Sequence, residues 1–137
     1  MPVSSISILT HLDSSCEDLF ACLYNLSSSD LNLLRILLSK HNIQEGEEEG
    51  FTLDSLAKQT NKDKGTVFRS MQRLVALGFC TKHTKVPKEK GGYYHVYKAA
   101  DISTIERNVD YRIKEVQQAL NRIRKRFKED IKRMVLQ

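Results

Sequence analysis

Apolar residues recur along the last third of the chain at Ile102, Ile105, Val109, Ile113, Val116, Leu120, Ile123, Phe127, Ile131 and Met134. The steps are threes and fours, which holds the set on one stripe of a helix and approximates a heptad seam over four repeats. The residues between are almost all charged or polar. A helix of roughly 35 residues would be about 50 Å long at 1.5 Å per residue. That is too long to pack wholly on the preceding domain of about 85 residues, so the stripe calls for a partner. The simplest partner is a second copy of the chain. Ile105, Val109, Ile113, Val116, Leu120, Ile123, Phe127 and Ile131 are therefore the candidate dimerisation residues of a coiled-coil-like pair. Parallel and antiparallel orientations both stay open.

Upstream, the pattern is broken into shorter pieces. Residues 1–15 are Ser-rich without firm periodicity, and an irregular or short helical start is expected. Leu19, Phe20, Leu23 and Tyr24 suit a short amphipathic helix from Glu17 to Leu26. Ser27 and Asp30 then stand in the S-x-x-D spacing of a helix N-terminus. The following run, Leu31 to Lys40, carries Leu33, Leu34, Ile36, Leu37 and Leu38, apolar on most sides and thus central to a core. QEGEEEG, residues 44–50, reads as a solvated acidic loop.

Thr52 is a good N-cap for a helix running to about Gln59, with Leu53, Leu56 and Ala57 facing inward. Thr60-Asn61-Lys62 reads as a turn. Asp63 caps a second helix that runs to about Leu77 and stops at Gly78. Beyond Gly78 the period changes. Phe79–Thr84 and Tyr93–Tyr97 are β-compatible, and the segment between them contains Pro87 and the Gly91-Gly92 pair. On the return strand Tyr93, His95 and Tyr97 share one face, Tyr94, Val96 and Lys98 the other, and one face should pack on the core. Two helices, a tight turn and a hairpin make a winged helix-turn-helix. The expected architecture is mainly α with a small β-hairpin wing (α+β): residues 1–15 as an N-terminal segment, 16–100 as the winged domain and 101–137 as the dimerisation helix.

Charge sharpens this picture. Of the 137 residues, 40% are hydrophobic and 28% charged, ordinary values for a globular protein. No run approaches the roughly 20 apolar residues of a membrane span, and the N-terminus has no charged n-region of a signal peptide, so a cytoplasmic, nucleoid-associated location without membrane contact is expected. The net charge of +5 is segregated. Residues 1–61 hold three Lys/Arg and nine Asp/Glu, residues 62–98 hold nine against two, and residues 99–137 hold ten against six. The positive charge begins where the second helix of the motif begins, the footprint of a polyanion binder.

A helical wheel places Val67, Met71, Leu74 and Val75 on one face, with Gly65, Thr66, Arg69, Gln72, Arg73 and Ala76 opposite. Small residues let a helix sink into the major groove, and arginine grips guanine or clamps phosphate. Lys62 and Lys64 sit at the helix start, where the backbone or groove edge is met. Phe68, at the border, suits stacking on a sugar or packing on the preceding helix equally. Lys85, Lys88 and Lys90 on the wing would straddle the backbone or enter the minor groove. Lys62, Lys64, Gly65, Thr66, Arg69, Gln72, Arg73, Lys85, Lys88 and Lys90 are thus the candidate DNA contacts.

Other chemistry has little support. Cys16, Cys22 and Cys80 are odd in number and unpaired in spacing, which argues against a disulfide framework and suits three buried or half-buried small residues. His95 suits a structural hydrogen bond better than metal ligation. There is no phosphate loop, nucleophile elbow, metal-ligand cluster or paired-carboxylate site, so no enzyme activity, metal or cofactor is expected.

LAKQTNKDKGTVFRSMQRLVALGF followed by GGYYHVYKA resembles the archaeal TrmB-like branch of winged-helix transcriptional regulators, more distantly the MarR and ArsR types. CLYNLSSSDLNLLRILL matches the helix preceding the motif in that group, and the resemblance covers roughly residues 16–100. It implies sequence-specific binding of double-stranded DNA by a homodimer, with residues 64–77 as the recognition helix and residues 85–92 as the wing. The chain stops after the long helix, with no room for the effector domain of sugar-sensing members, so sugar sensing is not carried over and no effector ligand is named. A non-specific chromatin-associated DNA-binding protein and a protein-interaction winged helix are the alternatives.

Overall fold

The computed structural model describes residues 15–40, 50–87 and 91–136. The expected irregular start before Ser15, most of the acidic loop, and Lys88 and Lys90 lie outside the described residues. Five helices and two strands follow in order among the described residues: α1 (Cys16–Tyr24), α2 (Ser28–Lys40), α3 (Leu53–Thr60), α4 (Lys64–Ala76), β1 (Cys80–Lys85), β2 (Tyr94–Ala99) and α5 (Ile102–Leu136). The chain divides into two compact units, Met1–Ile105 and Glu106–Gln137. This is an α+β winged helix with a long C-terminal helix. None of the described helices is long and apolar enough to cross a membrane.

Local chemistry explains most of the element ends in the first unit. α1 opens on a capping box, in which Asp18 N–H donates to Ser15 Oγ and Ser15 N–H to Asp18 Oδ2. It ends at Tyr24, two residues short of the sequence-based end at Leu26, with Asn25 as the C-cap in left-handed backbone at φ 55°. α2 opens on the expected Ser27–Asp30 box, with Asp30 N–H to Ser27 Oγ and Ser27 N–H to Asp30 Oδ2, both 3.1 Å. α4 closes as expected at Gly78, at φ 84°. Gly78 N–H donates to Val75 O and Phe79 N–H to Leu74 O, both 3.0 Å, a Schellman closure.

The core lies beneath α2, whose Leu33, Leu34 and Leu37 are buried with Leu56 of α3 and Val67, Met71 and Leu74 of α4. Phe79, fully buried just past the Schellman turn, packs edge-to-face with Phe20 and Tyr24 of α1 at centroid distances of 5.1 and 4.7 Å. Such edge-to-face pairs are favourable beyond the area they bury. They anchor a nine-residue helix in which no residue is fully buried.

The hairpin is antiparallel, with Cys80 opposite Ala99 and Lys85 opposite Tyr94. β2 does not follow the simple alternation read from the sequence, because its neighbours Val96 and Tyr97 are both buried. The strand meets α2 and α3, and its outer edge is capped by Phe51. Phe51 N–H donates to Tyr97 O at 2.9 Å, and Tyr97 N–H returns to Phe51 O at 2.7 Å. Cys80 is buried, and burial pushes its thiol up to about 12, which leaves it unreactive. Cys22 is half-buried, but Cys16 is exposed, correcting the expectation that all three would be covered. It is the first residue of α1, where the helix end leaves its side chain open.

Gly50 makes the Phe51 bridge possible. Its φ is +83°, and a Cβ there would stand 2.6 Å from Tyr97 O. Gly50→Ala is expected to cost at least about 2 kcal/mol, combining left-handed strain with loss of the bridge, read as a lower urea midpoint at unchanged slope.

Candidate nucleic-acid interface

The exposed surface of α4 is built from its first turn. α3 starts from Thr52, whose Oγ1 accepts from Ser55 N–H at 3.1 Å, and ends at Asn61 in left-handed conformation, φ 54°. This residue turns the chain sharply into α4. Asp63 caps the new helix: Thr66 N–H donates to Asp63 Oδ2 at 3.1 Å, and the Thr66 hydroxyl donates to Oδ1. These two bonds from Thr66 hold the Asp63 carboxyl below its ordinary range. Lys64 reaches back to Asp54 of α3 at 3.2 Å, an exposed pair worth little by itself.

α4 turns Val67, Ser70, Met71 and Leu74 inward. Lys64, Gly65, Arg69, Gln72, Arg73 and Ala76 are exposed, Thr66 is half-buried, and Phe68 is partly exposed at the border. The wheel drawn from the sequence therefore matches the burial, with Ser70 an additional buried position. Arg69 donates to Thr66 Oγ1 at 3.3 Å. Its guanidinium folds back over Gly65, where a Cβ would lie 3.6 Å from Nη1. Asp63, Thr66 and Arg69 thus form one chain along the open face.

Arg73 has a different setting. Its Nη2 donates to Asp30 Oδ1 at 2.7 Å and its Nε to Oδ2 at 3.2 Å, with Ser70 Oγ accepting at 3.2 Å. Asp30 is 1% exposed, whereas the Arg73 side chain remains about half exposed. The guanidinium is fixed by a buried carboxylate at the head of α2, with one edge turned to solvent. Burial alone would raise the Asp30 carboxyl. The bonds from Arg73, Ser70 and Ser27 more than offset this and leave it below the usual carboxylate range. Asp30 was legible in the sequence as a cap, but its partner 43 residues away was not.

On the wing, Lys85 is half-buried at the end of β1, and Lys82 and Tyr93 are exposed. Lys82 lies outside the sequence-derived candidates although it belongs to the same basic segment. Its position on an outward stretch of strand was the available signal. His95 Nδ1 bonds the Thr84 hydroxyl at 3.3 Å, the structural role expected for it. Lys62 is exposed in the turn, next to Lys64. The turn and helix therefore bring together Lys62, Lys64, Gly65, Thr66, Arg69 and Gln72, with Arg73 beside them but held.

No protein-family model matches the chain. An uncharacterized protein of Methanocaldococcus jannaschii is 29% identical over 83 residues, 61% of this chain and 56% of that protein. The chain thus spans little more than half the length of the curated relative it matches. A structure described as a possible transcriptional regulator from Methanosarcina mazei Go1 superposes with TM-score 0.64 at 24% identity, over 87% of this chain and 93% of that one. A protein of the thermoacidophilic archaeon Sulfolobus tokodaii superposes with TM-score 0.57 at 20% identity, over 76% and 93% respectively. The fold is shared with both.

The Asp30–Arg73 pair yields a stability prediction. Asp30→Ala removes a bidentate partner and half of a capping box, and is expected to cost about 2–3 kcal/mol. The folded carboxyl titrates below its unfolded value of about 3.9, so its contribution is complete above that pH and lost as pH falls through the folded value. Urea midpoints of the two proteins should therefore differ fully near neutrality and converge in acid.

Proposed function

We propose that the chain is a sequence-specific DNA-binding transcription regulator acting as a homodimer, with α4 in the major groove and the wing, residues 85–92, on the backbone or in the neighbouring minor groove. The exposed face of α4 carries this reading. It offers small and polar side chains with Lys64 and Arg69, and Lys62 in the turn before it, on a helix whose other face is locked into a core. A rigid helix with cations and hydrogen-bonding groups outward fits duplex recognition. The TrmB-like resemblance of residues 16–100 supports it, as does the description of the Methanosarcina protein of the same fold as a possible transcriptional regulator. Arg69 reads or clamps the DNA, while Arg73 contributes its open edge from a fixed position.

The second element of the reading is the stripe on α5. Leu120 is 60%, Ile123 50% and Phe127 55% exposed in the single chain. Large apolar side chains in a row leave water on association with a matching stripe, so a second α5 is the partner of the pair. Two recognition helices so joined would meet successive major grooves about 34–36 Å apart, on an inverted repeat.

Footprinting across the gene's own upstream region should show discrete protected sites, with binding weakened by salt. Arg69→Ala should reduce site affinity by about 10- to 100-fold, equivalent to 1–3 kcal/mol. Uniform coating of the DNA, unaltered by Arg69→Ala, would sink the regulator reading. Leu120→Asn together with Ile123→Asn should yield a monomer in sedimentation and weaken operator binding by an order of magnitude or more. An unchanged sedimentation coefficient would reject the stripe as the interface.

A further inference from the structure

The second unit holds a charge surplus that its own helix does not neutralise. Residues 106–119 contain three Lys/Arg and three Asp/Glu. Two of those cations are paired, Lys114 to Asp110 at 2.9 Å and Arg112 to Glu115 at 3.5 Å. Residues 120–136 contain seven Lys/Arg against Glu129 and Asp130. Those two carboxylates face Lys132 at 4.0 Å and Arg133 at 3.8 Å. Arg122, Arg124, Lys125, Arg126 and Lys128 are exposed, and none has an ion pair among the described residues.

Pairing of two α5 helices does not supply the missing anions. A parallel pair sets two surplus-positive ends side by side. An antiparallel pair sets each against residues 106–119, whose carboxylates are matched in number by their own cations. Stepping about 100° per residue from Leu120 puts the apolar stripe on one side. Arg122 and Lys125 fall on the opposite side, clear of any self-pairing seam, while Arg124 and Arg126 flank the stripe. The surplus therefore stays open to solvent in either arrangement.

We infer that residues 122–128 of α5 form a second DNA-contacting surface, one that binds the phosphate backbone by charge without reading sequence. The inference rests on the reading of the chain as a duplex-DNA binder and extends it to a site remote in sequence from α4 and the wing. Three arginines suit it, because the planar guanidinium grips phosphate in two-point fashion and is weakly hydrated. An anionic membrane is the less fitting partner. Surface-bound amphipathic helices insert the same apolar stripe that the helix pair covers, and residues 112–136 contain no Trp or Tyr for the interfacial level. Each phosphate contact releases condensed counterions, so the surface has a defined salt signature.

The test is the salt dependence of binding by the full chain to a mixed-sequence DNA duplex. Arg122→Gln, Lys125→Gln and Arg126→Gln are introduced together; glutamine keeps helix propensity and leaves the stripe intact. The expected result is weaker binding and a slope of log Kd against log salt that falls by about 3 per bound chain, at unchanged sedimentation and helix content. The charge-preserving set Arg122→Lys, Lys125→Arg and Arg126→Lys should retain the slope. An unchanged slope in the glutamine variant overturns the inference; if Arg69 still governs site preference, the regulator reading survives it. A reduced slope in a chain with no site preference supports the backbone surface and defeats the regulator reading. Loss of binding to phosphatidylserine vesicles with none to duplex assigns the cations to a membrane and overturns the inference, and a wild-type chain that binds no duplex defeats both.

Discussion

The hydrogen-bonded pair of Asp30 and Arg73 organises the winged half of this molecule. Asp30 is buried at the first turn of α2, where it completes a capping box with Ser27. The same carboxylate takes both contacts from Arg73 near the end of α4. A buried carboxylate is costly unless its oxygens are satisfied, and here Ser27 N–H and Arg73 Nε donate to Oδ2 and Arg73 Nη2 to Oδ1. The angle between the supporting helix and the exposed helix is thereby tied to a point that cannot slip without leaving a charge unmatched. Hydrophobic contact through Leu33, Met71 and Leu74 presses α2 and α4 together. The ion pair specifies where along their length they meet.

That arrangement divides the arginines of α4. Arg73 is spent largely on the fold, with an outer edge remaining. Arg69 is restrained more lightly, through Thr66 to the cap at Asp63, by neutral or exposed hydrogen bonds that water and phosphate can replace. A short local chain of this kind preorders a side chain without burying it. The wing is secured differently. Its return strand is pinned by the two-bond bridge to Phe51, and that bridge depends on a glycine at position 50 that lets the backbones approach.

The long helix obeys another balance. Of its apolar stripe Ile105 is buried in the single chain, and the exposed members are concentrated from Leu120 onward. The i, i+3 and i, i+4 pairs along it add a few tenths of a kcal/mol each, too little to hold so long a helix rigid alone. Association along the stripe provides a physical reason for its length, and the uneven distribution of cations gives its distal half a second task.

Much of the architecture was legible from residues alone. Caps at Ser27, Thr52 and Asp63, the stop at Gly78, the change of period into the hairpin and the exposed set on α4 are local features, governed by backbone hydrogen bonds within a few residues and by helical periodicity. The structure alters what depends on distance. It pairs Arg73 with Asp30, buries Val96 and Tyr97 side by side and leaves Cys16 uncovered. The burial of neighbouring strand residues could not be read from alternation because α2, α3 and Phe51 surround β2 from elsewhere in the chain. The sequence by itself determined the elements, their ends and the outward chemistry of α4, because short-range sterics and capping decide these. Only the tertiary structure decided which arginine is held by a buried carboxylate and which only by exposed local bonds, because a charge takes its role from the partner that folding brings to it.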